Sequence, residues 1–535
     1  MGWVNNMKFI DIADKYNENI AGDIIAAKKD NCIVNLNSEV GDTENYEFID
    51  TASLEGIRIY RNTLNFVLVK AVAGLFPNNR LKIHYSINKG SFCELIGRSI
   101  GREDVNKIRK RMRSLIKKRH PIERHDFSIE HAAKVLGHTN RNDLLDVLSH
   151  DGDDSLITLY SLEGVFDYFH GVMAPDTGYV DLFELRHFHN GFLLFHPTRF
   201  EPGKLPEWQT QDKLINAFEE FRLWGNAIGV DNINDINQIT ENGEIGDIIR
   251  ISEALQEKKI GYIADEINAK HKNFVFIAGP SSSGKTTFAR RLAIHLRAVG
   301  LKAHPISLDD YYKGSEIPLD IFGKKDYETP DALDIVKFSE DMKSLQEYGY
   351  AQIPEYDFAT ESRKAYRDLS IDEKGVVIVE GIHGINPAFS NCVERNRAHK
   401  LYISALTSIN IDDHNRLSTT DARLFRRLVR DFKYRGASAE RTLGMWADVR
   451  KGEDKYIFPY QEEADAIFNS TLIYEHGVLK KFAEPILSSL DSDSRYYSEA
   501  RRLLGIMSYF AEVEDGEIPN TSIIREFIGG SVLKY

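Results

Sequence analysis

The sequence predicts an α/β protein, with a doubly wound parallel sheet over residues 262–480 preceded by a β-grasp-like unit and an α+β unit. Three observations carry this reading. Residues 273–474 alternate apolar β-runs ("NFVFIAG", "KAHPISL", "GVVIVEG", "KLYISAL", "ADAIFNSTLIY") with helical stretches, the pattern of a parallel sheet with crossover helices. A glycine-rich stretch, "GPSSSGKT", stands between the first of those strands and a helix. Upstream, short strands and helices are mixed.

Taken in order, residues 1–52 hold short apolar runs separated by turn signals ("NCIVNLNSEVGD", "YEFID"), as in a small β-grasp. Residues 53–206 combine strands ("RLKIHYSI", "GFLLFHP") with helices ("LNFVLVKAVAGLF", "SIEHAAKVLG"), an α+β unit. Residues 207–261 are helical and polar, broken by "GVDNINDINQ", and are expected to form a helical connector. The parallel-sheet unit takes 262–480. Residues 481–535 are expected to form two or three helices and a polar tail.

A chain of 535 residues exceeds one core. Its net charge of −13 argues against a generic polyanion binder, while leaving room for local basic patches. Cys32, Cys93 and Cys392 show no CxxC spacing, so neither a zinc cluster nor a disulfide framework is expected, and a reducing compartment is. No apolar run reaches the roughly 18 residues that span a bilayer. The first residues lack a basic and then apolar leader pattern, and Gly2 is followed at position 6 by Asn instead of the Ser or Thr that myristoylation needs. The expectation is a cytoplasmic protein without a membrane partner; the composition is compatible with a homo-oligomer.

Gly279 to Thr286 satisfies GxxxxGK[ST] in full, with Phe274 to Ala278 as the strand before it and a helix after it. The glycines allow the backbone to close on phosphate oxygens, so the N–H groups of Ser281, Ser282, Ser283, Gly284 and Thr287 are candidates to face the anion. Lys285 supplies a point charge, and the Thr286 hydroxyl can ligate Mg²⁺. A nucleoside triphosphate, ATP, is therefore expected.

Twenty-three residues beyond Thr286, at a strand end, stands "SLDDYYKG". Carboxylates there point into the ligand crevice of an open α/β sheet, so Asp309 or Asp310 could take a proton from a hydroxyl or hold metal; a solvated loop pair is the alternative. Glu380, after four apolar residues in "VVIVEG", is a second metal-side candidate. In "DARLFRRLVRDFKYRG", Arg423, Arg426, Arg427 and Arg430 fall at i, i+3, i+4 and i+7. That spacing puts four guanidinium groups on one helix face. Arg435 follows just before Gly436. Such a cluster can stabilise a moving phosphoryl group; the alternative is a basic face paired to acids such as Asp431 and Glu440.

The ordered motifs "GPSSSGKTTFARRL", "LDDYYK", "YETPDALD", "YDFATESRK", "VVIVEGIHG" and "DARLFRRLVRDFKYRG" resemble the uridine kinases of the phosphoribulokinase/uridine kinase family. The resemblance implies a P-loop kinase domain. It implies Asp309 as the base for a nucleoside 5′-hydroxyl, close to Mg²⁺, with Glu380 helping to hold the metal. Arg427, Arg430 and Arg435 would close over the phosphates, and Tyr312, Asp331, Tyr356 and Arg363 would border the nucleoside. Two residues depart from the family pattern. Glu361 replaces a base-reading histidine, and Ala437 replaces a second arginine. A carboxylate seeks a donor where the imidazole could also offer one, which weighs against a uridine base. The competing readings are an RNA- or tRNA-binding protein with a nucleotide-gated switch, and a kinase of a sugar phosphate served by Arg363 and Lys364. A switch needs no acceptor pocket, yet Asp309, Asp331 and Tyr356 stand at pocket positions.

In the N-terminal half, "FIDIADKY…NCIVNLN…YEFID" resembles a TGS domain of threonyl-tRNA synthetases. The following stretch, through "IHYSINKGSFCEL" to "GYVDLFELRHFHNGFLLFHP", resembles their editing-type domain. The editing HxxxH pair is missing: His84 is followed at position 88 by Asn. Editing activity is therefore not carried over. His187 and His189 are expected to alternate along a strand, on one side, as structural or pocket-lining residues. Between Arg102 and Arg124, ten Lys/Arg against three acids leave RNA contact through phosphates open. The lack of aromatic residues there favours a solvated helix face.

Overall fold

The computed structural model describes residues 7–13, 15–16, 21–41, 45–137, 141, 143–144, 156–319, 323, 325–357 and 360–533; Gly2 lies outside them. The chain starts with a three-stranded antiparallel sheet in which Ile24–Lys29 runs between Cys32–Val34 and Tyr46–Asp50. Helix Phe9–Ala13 covers it, through Phe9 against Ile24, Ala27 and Leu36. The next helix, Leu54–Leu75, is capped by the Ser53 hydroxyl, which accepts from the Gly56 N–H at 3.0 Å. It buries Leu64, Phe66 and Leu68 against a four-stranded antiparallel sheet ordered Leu81–Ile87, Gly90–Leu95, Gly191–Phe195, Glu184–Phe188. The basic segment forms helix Arg102–Lys117, whose Val105, Ile108, Met112 and Leu115 enter the core. Its cations therefore line the other faces.

The expected pairing of His187 and His189 on one strand face is not formed. The strand ends at Phe188, and His189 turns away in a left-handed conformation, φ 48°. The His187 ring donates to the Ile100 carbonyl, 2.9 Å away. His84 is buried against Glu94 at 2.8 Å. Among the described residues no three His, Cys, Asp or Glu side chains gather as a metal site, and no described helix is long and apolar enough to cross a membrane.

The second half is built on five parallel strands in the order Lys302–Ser307, Gly375–Glu380, Phe274–Ala278, Ala398–Ser404, Ala466–Asn469. Strand Phe274–Ala278 is fully buried along its length, as a parallel strand covered by helices on both faces must be. The chain winds away from it in both directions, so the crevice opens where its C-terminal end meets those of its neighbours. Helix Ile245–Ala269 runs unbroken across the expected boundary at 261/262 and packs on helix Lys285–Ala298, with Arg291 donating to Gln256 at 3.1 Å and Glu257 at 2.9 Å. A two-stranded antiparallel hairpin, Tyr350–Asp357 with Ser362–Ser370, projects between the second and third sequence strands of the sheet.

The two halves interlock. The Ile83 N–H donates to the Asp413 carbonyl and its carbonyl accepts from the Asn410 side-chain amide, each at 2.8 Å, and Arg80 forks onto Asp413 at 2.8 and 2.9 Å. At the C-terminus, helices Glu475–Ser488 and Tyr497–Met507 are followed by a segment whose Ile523, Ile524, Phe527 and Ile528 are buried. The expected polar tail is in fact part of the core.

Candidate active site

The loop after strand Phe274–Ala278 turns tightly for two reasons. A Cβ on Gly279 would lie 2.0 Å from the Ile403 carbonyl oxygen, so only glycine lets the neighbouring strand stay in place. Gly284 adopts φ 85° and opens helix Lys285–Ala298, leaving its first N–H groups directed at the crevice. Lys285 Nζ donates to the Pro280 carbonyl at 3.1 Å, and burial lowers its pKa against the opposing pull of Glu380, Glu526 and Asp309.

Glu380 ends strand Gly375–Glu380 at the register of Ser307 and Ile277. Its Oε1 accepts from Ser307 at 3.3 Å and from Thr286 at 3.5 Å. Burial and then the charge of Asp309 push its pKa up to about 7. Asp309 lies in the 3₁₀ turn Leu308–Tyr311 directly after strand Lys302–Ser307. Burial raises its pKa too, against Lys285, Arg435 and Arg430. Among the described residues its carboxylate has no hydrogen-bond or ion-pair partner. Its neighbour Asp310 is engaged, accepting from the Tyr356 N–H at 3.3 Å and tying the hairpin to the site. The adjacent pair thus divides into an anchor and an open acid.

The arginine helix, Thr419–Arg435, is capped by Ser418 and closed by Gly436 at φ 58°. The expected row of four guanidinium groups is split. Arg423 and Arg426 are buried and satisfied: Arg423 forks onto Glu453 at 2.5 and 2.8 Å, and Arg426 onto Glu475 at 2.5 and 3.2 Å. Arg423 also donates to the Ser281 carbonyl at 3.0 Å, so it braces the loop. The reason is geometric, since i and i+3 face the loop and the sheet while i+4, i+7 and Arg435 face the crevice. Arg427, Arg430 and Arg435 share a single carboxylate, Asp431, at 3.1, 3.0 and 3.4 Å. Two positive charges are left over. Glu440 is not a partner; it accepts from Ser494. Arg427 also donates to the Ser281 hydroxyl at 2.8 Å.

The rim differs from expectation at three positions. Arg363 is engaged within the chain: it donates to Asp334 at 3.0 Å and to the Tyr311 carbonyl at 3.1 Å. Lys364 pairs with Asp357. Glu361 stands exposed with φ 49°, held by Lys325 and by the Tyr327 hydroxyl at 3.2 Å. Asp331 is exposed in the turn Pro330–Ala332. Tyr312 and Tyr356 face each other with ring centroids 5.6 Å apart, and Tyr327 flanks Tyr312 at 5.4 Å, an aromatic wall beside Asp309.

Three carboxylates were missed by the sequence reading. Glu453 accepts from the Ser281 N–H at 2.9 Å, Glu526 takes both donors of Thr287, and Glu328 is raised to about 7 by burial and the nearby Glu453. Glu328 lies within "YETPDALD"; Glu453 and Glu526 carry no local signal.

A family model described as Phosphoribulokinase / Uridine kinase family matches residues 274–473. A "Uridine kinase" of Staphylococcus aureus (strain JH9) is 32% identical over 206 residues, covering 37% of this chain and 87% of that relative. The chain belongs to the phosphoribulokinase/uridine kinase family. Solved structures similar to this family member include a putative fructose transport system kinase from Silicibacter sp. TM1040 (18% identity, 39% of this chain and 98% of that one) and a possible uridine kinase from Bacillus stearothermophilus (16%, 40% and 98%), each at a TM-score of 0.28. The family assignment is carried by the sequence relative. The five-stranded parallel sheet and its phosphate loop are those of a P-loop kinase, and the family supports phosphoryl transfer.

Proposed function

We propose that the chain transfers the γ-phosphoryl group of ATP, with Mg²⁺, to a hydroxyl of a nucleoside. The observation that carries this reading is Asp309, an acid without a partner among the described residues, set at a strand end between Lys285 and the two surplus charges of the arginine helix. A nucleotide switch needs no base for an acceptor hydroxyl. Asp309 takes the proton of the acceptor hydroxyl as its oxygen bonds to the γ-phosphorus and the bond to the ADP oxygen breaks. Gly279 and the N–H groups of Ser282, Ser283 and Gly284 hold the phosphates, joined by those of Ser281 and Thr287 when Glu453 and Glu526 give them up, and Lys285 adds its charge. Arg427, Arg430 and Arg435 stabilise the spread phosphoryl charge.

Thr286, Glu380 and Asp309 suit a hard divalent cation. Glu380, a buried acid pushed up further by the charge of Asp309 and set beside the Thr286 hydroxyl, would be relieved by one. Bound there, Mg²⁺ would neutralise phosphate charge.

The aromatic wall of Tyr312 and Tyr356 suits a base, with Asp331 and Glu361 at its rim. The pairing of Arg363 with Asp334 and of Lys364 with Asp357 favours a nucleoside over a sugar phosphate. For the N-terminal half, the three-stranded antiparallel sheet supports a TGS-like unit over 1–52, and the four-stranded sheet an editing-like unit over 53–206; the boundaries expected at 261/262 and 480/481 fall inside helices Ile245–Ala269 and Glu475–Ser488.

The test is incubation of the full chain with ATP, Mg²⁺ and a panel of nucleosides and sugar phosphates, with products identified by mass. A nucleoside monophosphate is expected. A phosphorylated sugar phosphate, or ATP hydrolysis raised only by RNA, would overturn the nucleoside reading.

A further inference from the structure

A cavity of about 380 Å³ lies between the two halves, away from the phosphate loop, within the range of small-molecule sites. Helix Leu54–Leu75 forms one wall, the first turn of the arginine helix another, and helix Tyr497–Met507 a third. Five arginines and three acids line it. Two of the acids are already satisfied. Asp421 accepts from Arg502 at 2.7 and 3.2 Å, and Glu499 from Arg58 at 2.6 Å and Arg502 at 2.9 Å. The third, Glu55, is within ion-pair distance of no arginine.

This leaves Arg61, Arg416 and Arg501; Arg501 is exposed at the rim, while Arg61 and Arg416 are partly buried in the wall. Among the described residues neither donates a side-chain hydrogen bond, and neither faces a carboxylate at ion-pair distance. Burial lowers both, Arg61 to about 9 with the repulsion of Arg416 and Arg58 added, and Arg416 to about 10. Partly buried guanidinium groups that repel one another without a counter-ion are costly in a protein that gains nothing from them. They are the usual fork for a phosphate or carboxylate. Two uncharged groups face the same space. Asn65 is 6% exposed and its Oδ1 has no partner, an acceptor waiting for a donor. The His170 ring is held neutral by burial and its Nε2 is also unpartnered.

We propose that this cavity binds a small hydroxylated phosphate ester, with Arg61 and Arg416 on the phosphate and Asn65 on a hydroxyl. Inorganic phosphate would satisfy the arginines and leave Asn65 unmet. A carboxylate would use one guanidinium well and the second poorly. The site is distinct from the phosphate loop, none of whose residues line it, and it does not depend on which hydroxyl the kinase phosphorylates.

The test is calorimetric titration of the full chain carrying Lys285→Met, which weakens the phosphate loop, with inorganic phosphate, ribose 5-phosphate and nucleoside 5′-monophosphates. At least one ester is expected to bind one to one, more tightly than inorganic phosphate, with affinity unchanged by adding Asp309→Asn and reduced at least tenfold by Arg61→Gln or Arg416→Gln. Tighter binding of the nucleoside monophosphate would identify the ester as the kinase's own product; tighter binding of the sugar phosphate, as an independent metabolite. Without ligand, Arg61→Gln should melt no lower than its parent, because it removes an unpaired charge. The proposal is overturned if no ester binds, if binding survives both arginine substitutions, if Asp309→Asn abolishes it, or if inorganic phosphate binds as tightly as the esters. Failure of both arginine variants to fold would mark the guanidinium groups as structural and overturn it equally.

Discussion

Glu526, nine residues from the end of the chain, accepts from the Thr287 N–H at 3.2 Å and from the Thr287 hydroxyl at 2.6 Å. Thr287 directly follows the GKT of the phosphate loop, where backbone N–H groups cradle the phosphates of a bound nucleotide. A carboxylate of the protein therefore occupies donors that the phosphates of a nucleotide in this loop would use. Ile523, from the same segment, packs on Gly284.

Removing that competition should tighten nucleotide binding. A hydrogen bond to a charged group contributes about 1.5–3 kcal/mol, and its loss here falls on the ligand-free state alone. Glu526→Gln is expected to lower the Kd of ATP by about tenfold, read by titration in the presence of Mg²⁺. An unchanged or weaker affinity would show that Glu526 supports the loop without competing for it.

The split of the arginine helix predicts opposite phenotypes for adjacent residues. Arg426 is fully buried on Glu475, and removing one member of such a pair costs about 3–5 kcal/mol. Arg426→Met should lower the melting temperature by many degrees. Arg427→Met should leave the melting temperature within a few degrees and cut kcat by about a hundredfold. Thermal melts and steady-state kinetics on the two variants check this.

Glu380 ties stability and metal binding to pH. Its pKa is about 7 in the folded chain against an ordinary 4.5. A carboxyl raised by folding keeps its proton in the native state after the unfolded chain has lost it, so the native state is disfavoured as pH rises from about 4.5 to 7. The ligand-free chain should lose stability across that window, and Glu380→Gln should remove part of the loss; Glu328, also at about 7, keeps the rest. Mg²⁺ requires the anion, so the affinity for the magnesium–nucleotide complex should rise through pH 7 and flatten in Glu380→Gln.

Much of this site is legible from residue order because its parts are local. The strand, loop and helix from Phe274 to Ala298 are contiguous, and Asp309 and Glu380 announce themselves at strand ends. What is not legible depends on which element covers which. Helical periodicity places Arg423, Arg426, Arg427 and Arg430 on one broad face, but only the approach of Glu453 and Glu475, from 30 and 49 residues away, decides that two of them are structural. Glu526 reaches Thr287 across 239 residues. The hairpin that presents Tyr356 lacks a strong two-residue turn signal, and the C-terminal segment reads as polar until Ile523 and Phe527 are seen to pack beneath the loop. His189 shows the limit of alternation as a guide, since one turn residue takes it off the strand.

The central claim is that Asp309 takes the proton from an acceptor hydroxyl. The most direct measurement is single-turnover transfer of the γ-phosphoryl group from labelled ATP to the accepted nucleoside, comparing wild type with Asp309→Asn, with nucleotide affinity measured alongside. The reading predicts a loss of at least about 10²-fold in the transfer rate, in the range of general-base contributions, while the Kd of ATP changes by less than tenfold. A variant that transfers at the wild-type rate, or one whose only defect is in ATP binding, would contradict it.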